Sequence, residues 1–300
     1  MSHHGLDSDE FQFRDGPVAR ELAKSAEALA SYIENLAIFQ KRRADNRLGS
    51  VTNALRCFHW AWPLKQQSVP INHLDRRKPL LGGPLFTSSQ FDWPSNQDGF
   101  LQPIAQIDLD VANELSGLNL GHGMLQIWTD EYGWNSHIRI VPKEHIETSD
   151  LADIPQGLSE SANLKGAFSD VMADWDKDYF RNPQQIIGIG AKILTWPYDL
   201  YWMLSDIQVE LNGKHGELIH QFLKNLPDEP PTPTPHLFGN FRGIQYSENE
   251  KPPCLLSLAS EDPFCWGDGG TAQVFFDPVR KIVDVDGHTR TSMYFEWSCG

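Results

Sequence analysis

A proline-rich segment in the last third of the chain sets the first limit on the fold. Residues 226–235 read LPDEPPTPTP, with five prolines in ten positions. Proline has a fixed φ and no backbone N–H, so such a segment forms neither a helix nor a central strand of a sheet. We therefore predict an extended connector of the polyproline type between a longer first part and a shorter second part.

The two parts of the chain repeat one order of sequence elements. Each contains a glycine turn, an apolar strand, a glycine-rich turn, an aromatic strand and an acidic residue. In the first part these are Leu81-Gly82-Gly83-Pro84, residues 104–109, residues 121–123, residues 124–128 and Asp130. In the second part they are Phe238-Gly239, residues 255–260, Trp266-Gly267-Asp268-Gly269-Gly270, residues 272–276 and Asp277. The shared order indicates an internal duplication.

Hydrophobic periodicity predicts one long helix, two shorter helices and several strands. Residues 17–40 place apolar side chains on one helical face, and Pro17 suits the first turn. The shorter helices are expected at 159–176 and 214–225. Alternating or apolar runs predict strands at 101–109, 124–129, 137–141, 271–276, 281–285 and 293–297. The helices do not alternate regularly with the strands, which favours an antiparallel α+β fold.

The predicted architecture follows from the duplication. We expect two divergent antiparallel β-rich repeats packed pseudo-symmetrically, with the N-terminal helix against them. The predicted segments are a tail and helix at 1–48, a first repeat with a helical insertion at 49–225, the connector at 226–235, and a second repeat at 236–300.

Short motifs in both parts resemble a known family. They are Leu81-Gly82-Gly83-Pro84, Trp93-Pro94, Gln106-Ile107-Asp108, His236-Leu237-Phe238-Gly239, Ile244-Gln245, Trp266-Gly267-Asp268-Gly269-Gly270, Phe275-Phe276 and Glu296-Trp297-Ser298-Cys299. In this order the chain resembles the YwqG-like bacterial proteins. It departs from their pattern at Asn240, which stands where a second glycine is usual. The resemblance implies a duplicated α+β fold in a bacterial protein, and no reaction.

Asp268 and Trp266 form the sharpest candidate for a binding site. Asp268 lies between glycines, where a tight turn can expose a carboxylate beside the indole of Trp266 and hold a cation or an amine. In the other interpretation Asp268 bonds backbone amides of the turn and Trp266 packs in the core.

Gln106 and Asp108 form a second candidate, because alternate residues of a strand face the same side. Together with Gln245 from the second part they could line a small-molecule pocket between the repeats. They could equally form the solvated face of a half-buried strand.

Three Trp-Pro pairs offer a third, weaker candidate. They occur at Trp62, Trp93 and Trp196, and the last is followed by Tyr201 and Trp202. Exposed aromatic rings can stack on sugars, and the same pairs are also common in ordinary core packing. Packing is the favoured interpretation.

The charge of the chain limits its partners. It carries 40 acidic and 25 basic side chains, a net charge of −15. Nucleic-acid binding needs clustered Lys and Arg, so we expect no nucleic-acid partner. No apolar run is long enough to span a membrane, and the N-terminal residues do not form a secretory signal. The four cysteines include no Cys-x-x-Cys pair, so we expect a cytoplasmic protein with reduced thiols.

The catalytic and metal motifs give no support to an enzyme. There is no Gly-x-Ser-x-Gly, no phosphate-binding loop and no His-Glu-x-x-His. We therefore predict no cofactor, no metal and no catalytic residues. The favoured function is a non-catalytic binding protein with a basic protein partner, for which an immunity or regulatory role is one form. The alternative is an enzyme or small-molecule binder that uses a cleft between the two repeats.

Overall fold

The computed structural model of the chain describes residues 14–36, 46–97, 99–130, 135–155, 183–197, 199–211, 213–226, 235–240, 254–260, 264, 266, 270–283 and 287–298. These residues form helices and antiparallel strands, so the predicted α+β class is confirmed. The duplication and its pseudo-symmetry stay a prediction.

Six α-helices and one short 3₁₀ helix lie within the described residues. The α-helices are α1 Pro17–Glu34, α2 Asn46–Arg56, α3 Leu109–Ser116, α4 Lys143–Thr148, α5 Leu200–Leu211 and α6 Gly213–Leu223. The 3₁₀ helix spans Ile71–His73. Helix α6 confirms the helix predicted at 214–225, whereas the one predicted at 159–176 lies outside the described residues. The sequence analysis did not predict α2, α3, α4 or α5.

Thirteen strands lie within the same residues. They are β1 His59–Ser68, β2 Leu80–Leu81, β3 Ser95–Asn96, β4 Gly99–Phe100, β5 Gln102–Asp108, β6 Met124–Thr129, β7 Ser136–Val141, β8 Gln184–Ile189, β9 Ile193–Thr195, β10 His236–Phe238, β11 Cys254–Ala259, β12 Thr271–Val283 and β13 Thr289–Ser298. The predicted strands at 101–109, 124–129, 137–141 and 293–297 are confirmed, with shifts of one to four residues at some ends.

The strands predicted separately at 271–276 and 281–285 were wrongly divided, because they belong to the single strand β12. This strand pairs with β13 along its length, and the register shifts between Asp277 and Lys281. The Asp277 Oδ1 accepts hydrogen bonds from the backbone N of Val279 at 2.9 Å and of Arg280 at 3.2 Å. A bulge absorbs the extra residues, so the ladder continues past Pro278 without ending the strand.

The chain packs as two compact units, each built from two separate segments. The helical unit comprises Met1–Pro63 and Gly190–Cys254, and the sheet unit comprises Leu64–Ile189 and Leu255–Gly300. These units differ from the predicted segments because packing joins residues that are distant in sequence, whereas the predicted boundaries follow the order of the motifs. Those boundaries stay a prediction, and residues 227–234 of the connector lie outside the described residues.

Helix α1 begins where the sequence predicted it and ends before the predicted residue 40. The side-chain Nδ2 of Asn35 donates to the carbonyl of Ser31 at 2.8 Å, and the helix ends at Glu34. Arg56 at the end of α2 holds both carboxylate oxygens of Glu34, at 2.6 and 2.7 Å. The predicted apolar face of α1 is buried in the core of the helical unit, at Ala19, Leu22, Ala26, Leu29, Ala30 and Ile33.

In the sheet unit, the hairpin of β12 and β13 is bonded to the earlier segment. The backbone N of Thr291 donates to the carbonyl of Leu120 at 3.2 Å. Arg290 Nη2 donates to the carbonyl of Ile138 at 3.0 Å, and Lys281 Nζ donates to that of Asn119 at 2.7 Å. These hydrogen bonds hold the hairpin against residues 119–138 of the earlier segment.

A glycine pair after β2 allows the chain to turn into a fully buried segment. Gly82 and Gly83 have φ values of +65° and +66°, which residues with a side chain rarely adopt. A Cβ on Gly83 would lie 2.4 Å from the Cβ of Pro183. Position 83 therefore requires glycine both for its backbone conformation and for the space beside it.

We expect residues 1–226 and 236–300 to fail to fold cooperatively when each is expressed alone. The hairpin of the sheet unit lies in the second fragment, and β10 of the helical unit pairs with β1 from the first. Urea denaturation followed by circular dichroism measures this, with the intact chain as control. Two soluble, monomeric fragments with separate cooperative transitions would contradict it.

The variants Gly83→Ala and Gly117→Ala distinguish two reasons for glycine, the positive φ and the lack of space for a Cβ. Both residues lie in the sheet unit with similar φ, +66° and +70°, but no atom lies within 4 Å of a Cβ at position 117. The left-handed conformation alone costs about 1–2 kcal/mol, so Gly117→Ala should lose that much free energy of unfolding. Gly83→Ala should lose clearly more. Equal losses in urea denaturation would show that the contact with Pro183 is relieved easily.

Candidate functional site

Two glutamines at facing positions of β5 and β6 form the centre of a buried polar network. Gln106 lies opposite Gln126, and both side chains are fully buried. Gln126 Nε2 donates to Gln106 Oε1 and to the carbonyl of Phe86, both at 2.7 Å. Gln106 Oε1 also accepts from the backbone N of Phe86 at 3.1 Å. The two amides therefore satisfy the backbone of Phe86 as a neighbouring strand would.

The remaining donors of Gln106 are also bonded within the protein. Its Nε2 donates to the carbonyls of Arg76 at 3.1 Å and Lys78 at 2.8 Å. Both donors and both acceptor positions of the amide thus have partners. The residue lies in the core and not on a solvated strand face. A ligand could bind it only by displacing these hydrogen bonds, so the predicted ligand-binding role of Gln106 stays a prediction.

Arg139 on β7 completes the network with a buried positive charge. It is 2% exposed, and its Nε donates to Gln126 Oε1 at 2.8 Å. Its Nη2 donates to the carbonyl of Phe91 at 3.3 Å, and its Cζ lies 5.7 Å from the centre of the Phe91 ring. A buried cation is stable only when its donors are bonded. The Gln126 oxygen is therefore part of what allows this charge to be buried.

Arg76 joins the segments beside this network through the hydrogen bonds of its guanidinium group. Arg76 donates to the carbonyls of Leu85 at 3.0 Å and Ala152 at 2.7 Å, and to Thr87 Oγ1 at 2.6 Å. Burial, assisted by the charge of Arg77, lowers the pKa of Arg76 to about 10. Arg76 therefore remains charged at neutral pH, and its N–H donors hold the neighbouring loops together by hydrogen bonds.

Asp108 caps helix α3. Its Oδ1 accepts from the backbone N of Asp110 at 2.9 Å, and its Oδ2 lies 3.3 Å from Lys143 Nζ. Asp110 contacts Lys143 Nζ at 2.7 Å and His122 Nδ1 at 2.8 Å. The hydrogen bond from Lys143, and a weaker contribution from that of His122, lower the pKa of Asp110. Asp108 is therefore the N-cap residue of α3, and its predicted role in ligand binding stays a prediction.

Trp266 lies in the core of the sheet unit. It is 4% exposed and stacks on Phe264, with ring centres 5.4 Å apart. Its backbone N donates to Ser260 Oγ at 2.8 Å, which holds Trp266 beside the end of β11. Two further predicted ligand-binding residues, Gln245 and Asp268, lie outside the described residues. The binding roles of all three stay predictions.

An open groove that can accept a ligand lies between α1 and α6. Its volume is about 750 Å³. The α1 wall carries Val18, Glu21, Ser25, Ala28 and Tyr32, at spacings of three and four residues. This stripe lies beside the buried face of α1, so the helix presents one face to the core and another to the groove. The α6 side contributes Leu218, Gln221, Phe222 and Asn225.

The groove is mostly apolar and has two polar features. Glu21 makes no hydrogen bond or ion pair with another described residue, so its carboxylate is free. The hydroxyl of Tyr32 is hydrogen-bonded to Nδ1 of His215, and the ring centres are 5.7 Å apart. A ligand in the groove would meet a free anion on one helix and an aromatic side chain already fixed by a histidine.

Helix α5 presents a second distinctive surface in the helical unit. Asp199 precedes the helix, and Trp202, Asp206 and Val209 follow at spacings of three, four and three residues. Trp202 is 61% exposed and Val209 is 73% exposed. A tryptophan exposed to this extent is uncommon, because this side chain is highly buried on average.

The sequence contained the signals for both surfaces. The stripe from Val18 to Tyr32 repeats at three and four residues, but the stronger apolar face of α1 concealed it. The Trp-Pro pairs drew attention to Trp196, which is 1% exposed, whereas the accessible ring is that of Trp202.

Over the described ranges, no group of three His, Cys, Asp or Glu residues could hold a metal ion. In the same part of the chain, every helix is too short or too polar to cross a bilayer.

Gln126→Leu should destabilise the protein by about 3 kcal/mol, because it leaves the charged donor of Arg139 and the carbonyl of Phe86 without this partner. Gln67→Leu is the matched control, since Gln67 is exposed on β1 and should change stability by less than about 0.5 kcal/mol. Urea denaturation measures both. A Gln126→Leu variant as stable as the control would refute the importance of this network.

No family model matches the chain, and no curated protein matches it. The resemblance to the YwqG-like proteins therefore stays a prediction. The function has to be inferred from the two surfaces of the helical unit.

Proposed function

We propose that the chain is a non-catalytic binding protein that docks a helix of a basic protein partner in the groove between α1 and α6. The observation that carries this proposal is the groove itself, an open and largely apolar channel between two helices. Grooves of this kind bind amphipathic helices through apolar residues spaced at i, i+3, i+4 and i+7.

The spacing of the groove residues supports a helical partner. On α1 the stripe runs Val18, Glu21, Ser25, Ala28 and Tyr32, which is the three-four repeat of a helix that packs against another helix. Small residues at 25 and 28 allow close approach of a third helix. Val18 is 59% exposed, so apolar surface is left for a partner to cover.

Charge supports a basic partner. Glu21 lies in the groove wall and makes no ion pair with any residue that the structure describes, so a Lys or Arg on a docked helix would pair with it. The net charge of −15 would attract a basic protein and speed its association at low salt.

A small-molecule binder is the second candidate. The groove volume of about 750 Å³ falls within the range of about 300–1,000 Å³ typical of ligand pockets. The hydrogen-bonded pair of Tyr32 and His215 would supply a polar anchor for an otherwise apolar ligand.

Variants of the groove test the proposal. Val18→Asp places a charge on the apolar wall, and Ala28→Trp fills the groove from an exposed position. Val283→Asp is the matched control, because Val283 is 65% exposed on β12 of the sheet unit. Each protein is used to capture partners from a lysate of its native cell, followed by quantitative mass spectrometry and cross-linking through Lys24.

We expect a basic protein that is recovered with the wild type and with Val283→Asp and is cross-linked at Lys24. Its recovery should fall about tenfold or more with both groove variants. Val18→Asp buries a charge against the apolar side of the docked helix, which costs over ~1 kcal/mol, and the indole introduced by Ala28→Trp occupies the space that the docked helix needs. Equal recovery with all variants would overturn helix docking. A small molecule retained by the wild type and lost from both groove variants would establish the second candidate instead.

A further inference from the structure

Helix α5 carries an exposed face in which one aromatic ring lies between two carboxylates. Asp199, Trp202, Asp206 and Val209 follow the three-four spacing that places residues on one side of a helix. Trp202 is 61% exposed, and its ring makes an edge contact with Tyr201, with ring centres 5.4 Å apart. Tyr201 in turn packs against the core of the helical unit. The tryptophan is therefore supported from beneath and open above.

Neither carboxylate on this face is neutralised within the described part of the chain. Asp206 is exposed and makes no ion pair or hydrogen bond with another described residue. The Oδ1 atom of Asp199 is buried and has no hydrogen-bond partner there. Burial raises the pKa of Asp199, and the hydrogen bond from its own backbone N–H offsets part of this rise. Asp206 is therefore open to a cationic donor from outside, whereas Asp199 is half-buried and only part of its carboxylate can be reached.

We propose that this face of α5 binds an arginine-bearing segment of a protein partner, with one guanidinium beside Asp206, a second beside Asp199, and one of the two on the ring of Trp202. Guanidinium groups bind tryptophan faces by cation–π attraction, and they bind carboxylates with paired hydrogen bonds. Tryptophan is also among the residues most often found at the energetic centre of protein interfaces. The surface is separate from the groove and does not depend on its occupant.

The length of the face sets the spacing of the cations. Seven residues separate the two aspartates, about 10 Å along the helix axis at 1.5 Å per residue. An extended peptide covers about 10 Å in three residues. A segment of the form Arg-x-x-Arg therefore places one guanidinium near each carboxylate, and one of them can also stack on Trp202.

The test uses a defined peptide and the full chain. The probe is acetyl-Gly-Arg-Ala-Ala-Arg-Gly-amide, and its control has citrulline in place of both arginines, which keeps the shape and removes the charge. Titration is followed by the indole N–H signal of Trp202 in a two-dimensional NMR spectrum, assigned by its loss in Trp202→Ala. A basic peptide that binds here should shift this signal in a saturable way, and the shift should weaken as salt is raised.

Matched variants locate the binding to α5. Trp202→Ala, followed through the backbone amides of α5, should weaken the affinity about fivefold. Asp206→Asn should weaken it about threefold. Asp92→Asn should leave it unchanged, because Asp92 is an exposed carboxylate of the sheet unit that makes no ion pair with a described residue. All three substitutions are at exposed positions, and thermal melts check that the proteins stay folded.

Three results would overturn the inference. The citrulline peptide could shift the Trp202 signal as strongly as the arginine peptide, which would show that the positive charge is not needed for the contact. Asp92→Asn could weaken binding as much as Asp206→Asn, which would make it a non-specific effect of net charge. The Trp202 signal could also stay unchanged at saturating peptide. None of these results bears on the groove, whose variants lie on α1.

Discussion

The burial of Arg139 is the constraint on which the sheet unit depends. A guanidinium out of water must have its donors bonded, and Gln126 supplies the acceptor at 2.8 Å. The amide of Gln126 is then free to donate to Gln106 and to the carbonyl of Phe86. One charge on β7 thereby connects β6, β5 and the irregular segment after the glycine turn. That segment can be buried without a regular strand ladder because side-chain amides take over its backbone hydrogen bonds.

Local sequence patterns predicted the elements whose signals are local. Helix α1 and strand β6 were found because periodicity and alternation are properties of neighbouring residues. Helix α3 was missed because it has only eight residues and its start signal, Asp108, was interpreted as part of a strand face. Helix α5 lacks a one-sided apolar pattern, because the five residues from Leu200 to Leu204 are all hydrophobic. The bulge at Asp277 was read as a break between strands, since the pairing that bridges it comes from β13.

Local sequence patterns say even less about the roles of the candidate site residues. Gln106 and Asp108 were chosen because polar side chains share one strand face, but the structure gives them different partners. Gln106 bonds the backbone of a segment some twenty residues away, and Asp108 bonds the helix that follows it. No pattern within β5 distinguishes these uses from ligand binding. The groove and the α5 face depend on which side of each helix the core covers, and that is decided by packing between distant segments.

The interleaving of the two units has a consequence for synthesis on the ribosome. The chain emerges from its N-terminus, and domains fold as units once their residues are available. The first 63 residues of the helical unit must therefore wait until residue 254 has been made, while most of the sheet unit is translated between them. The sheet unit in turn waits for its last hairpin. For most of translation neither core is complete, so the nascent chain exposes the apolar faces of α1 and β5–β7 to chaperones and to neighbouring chains.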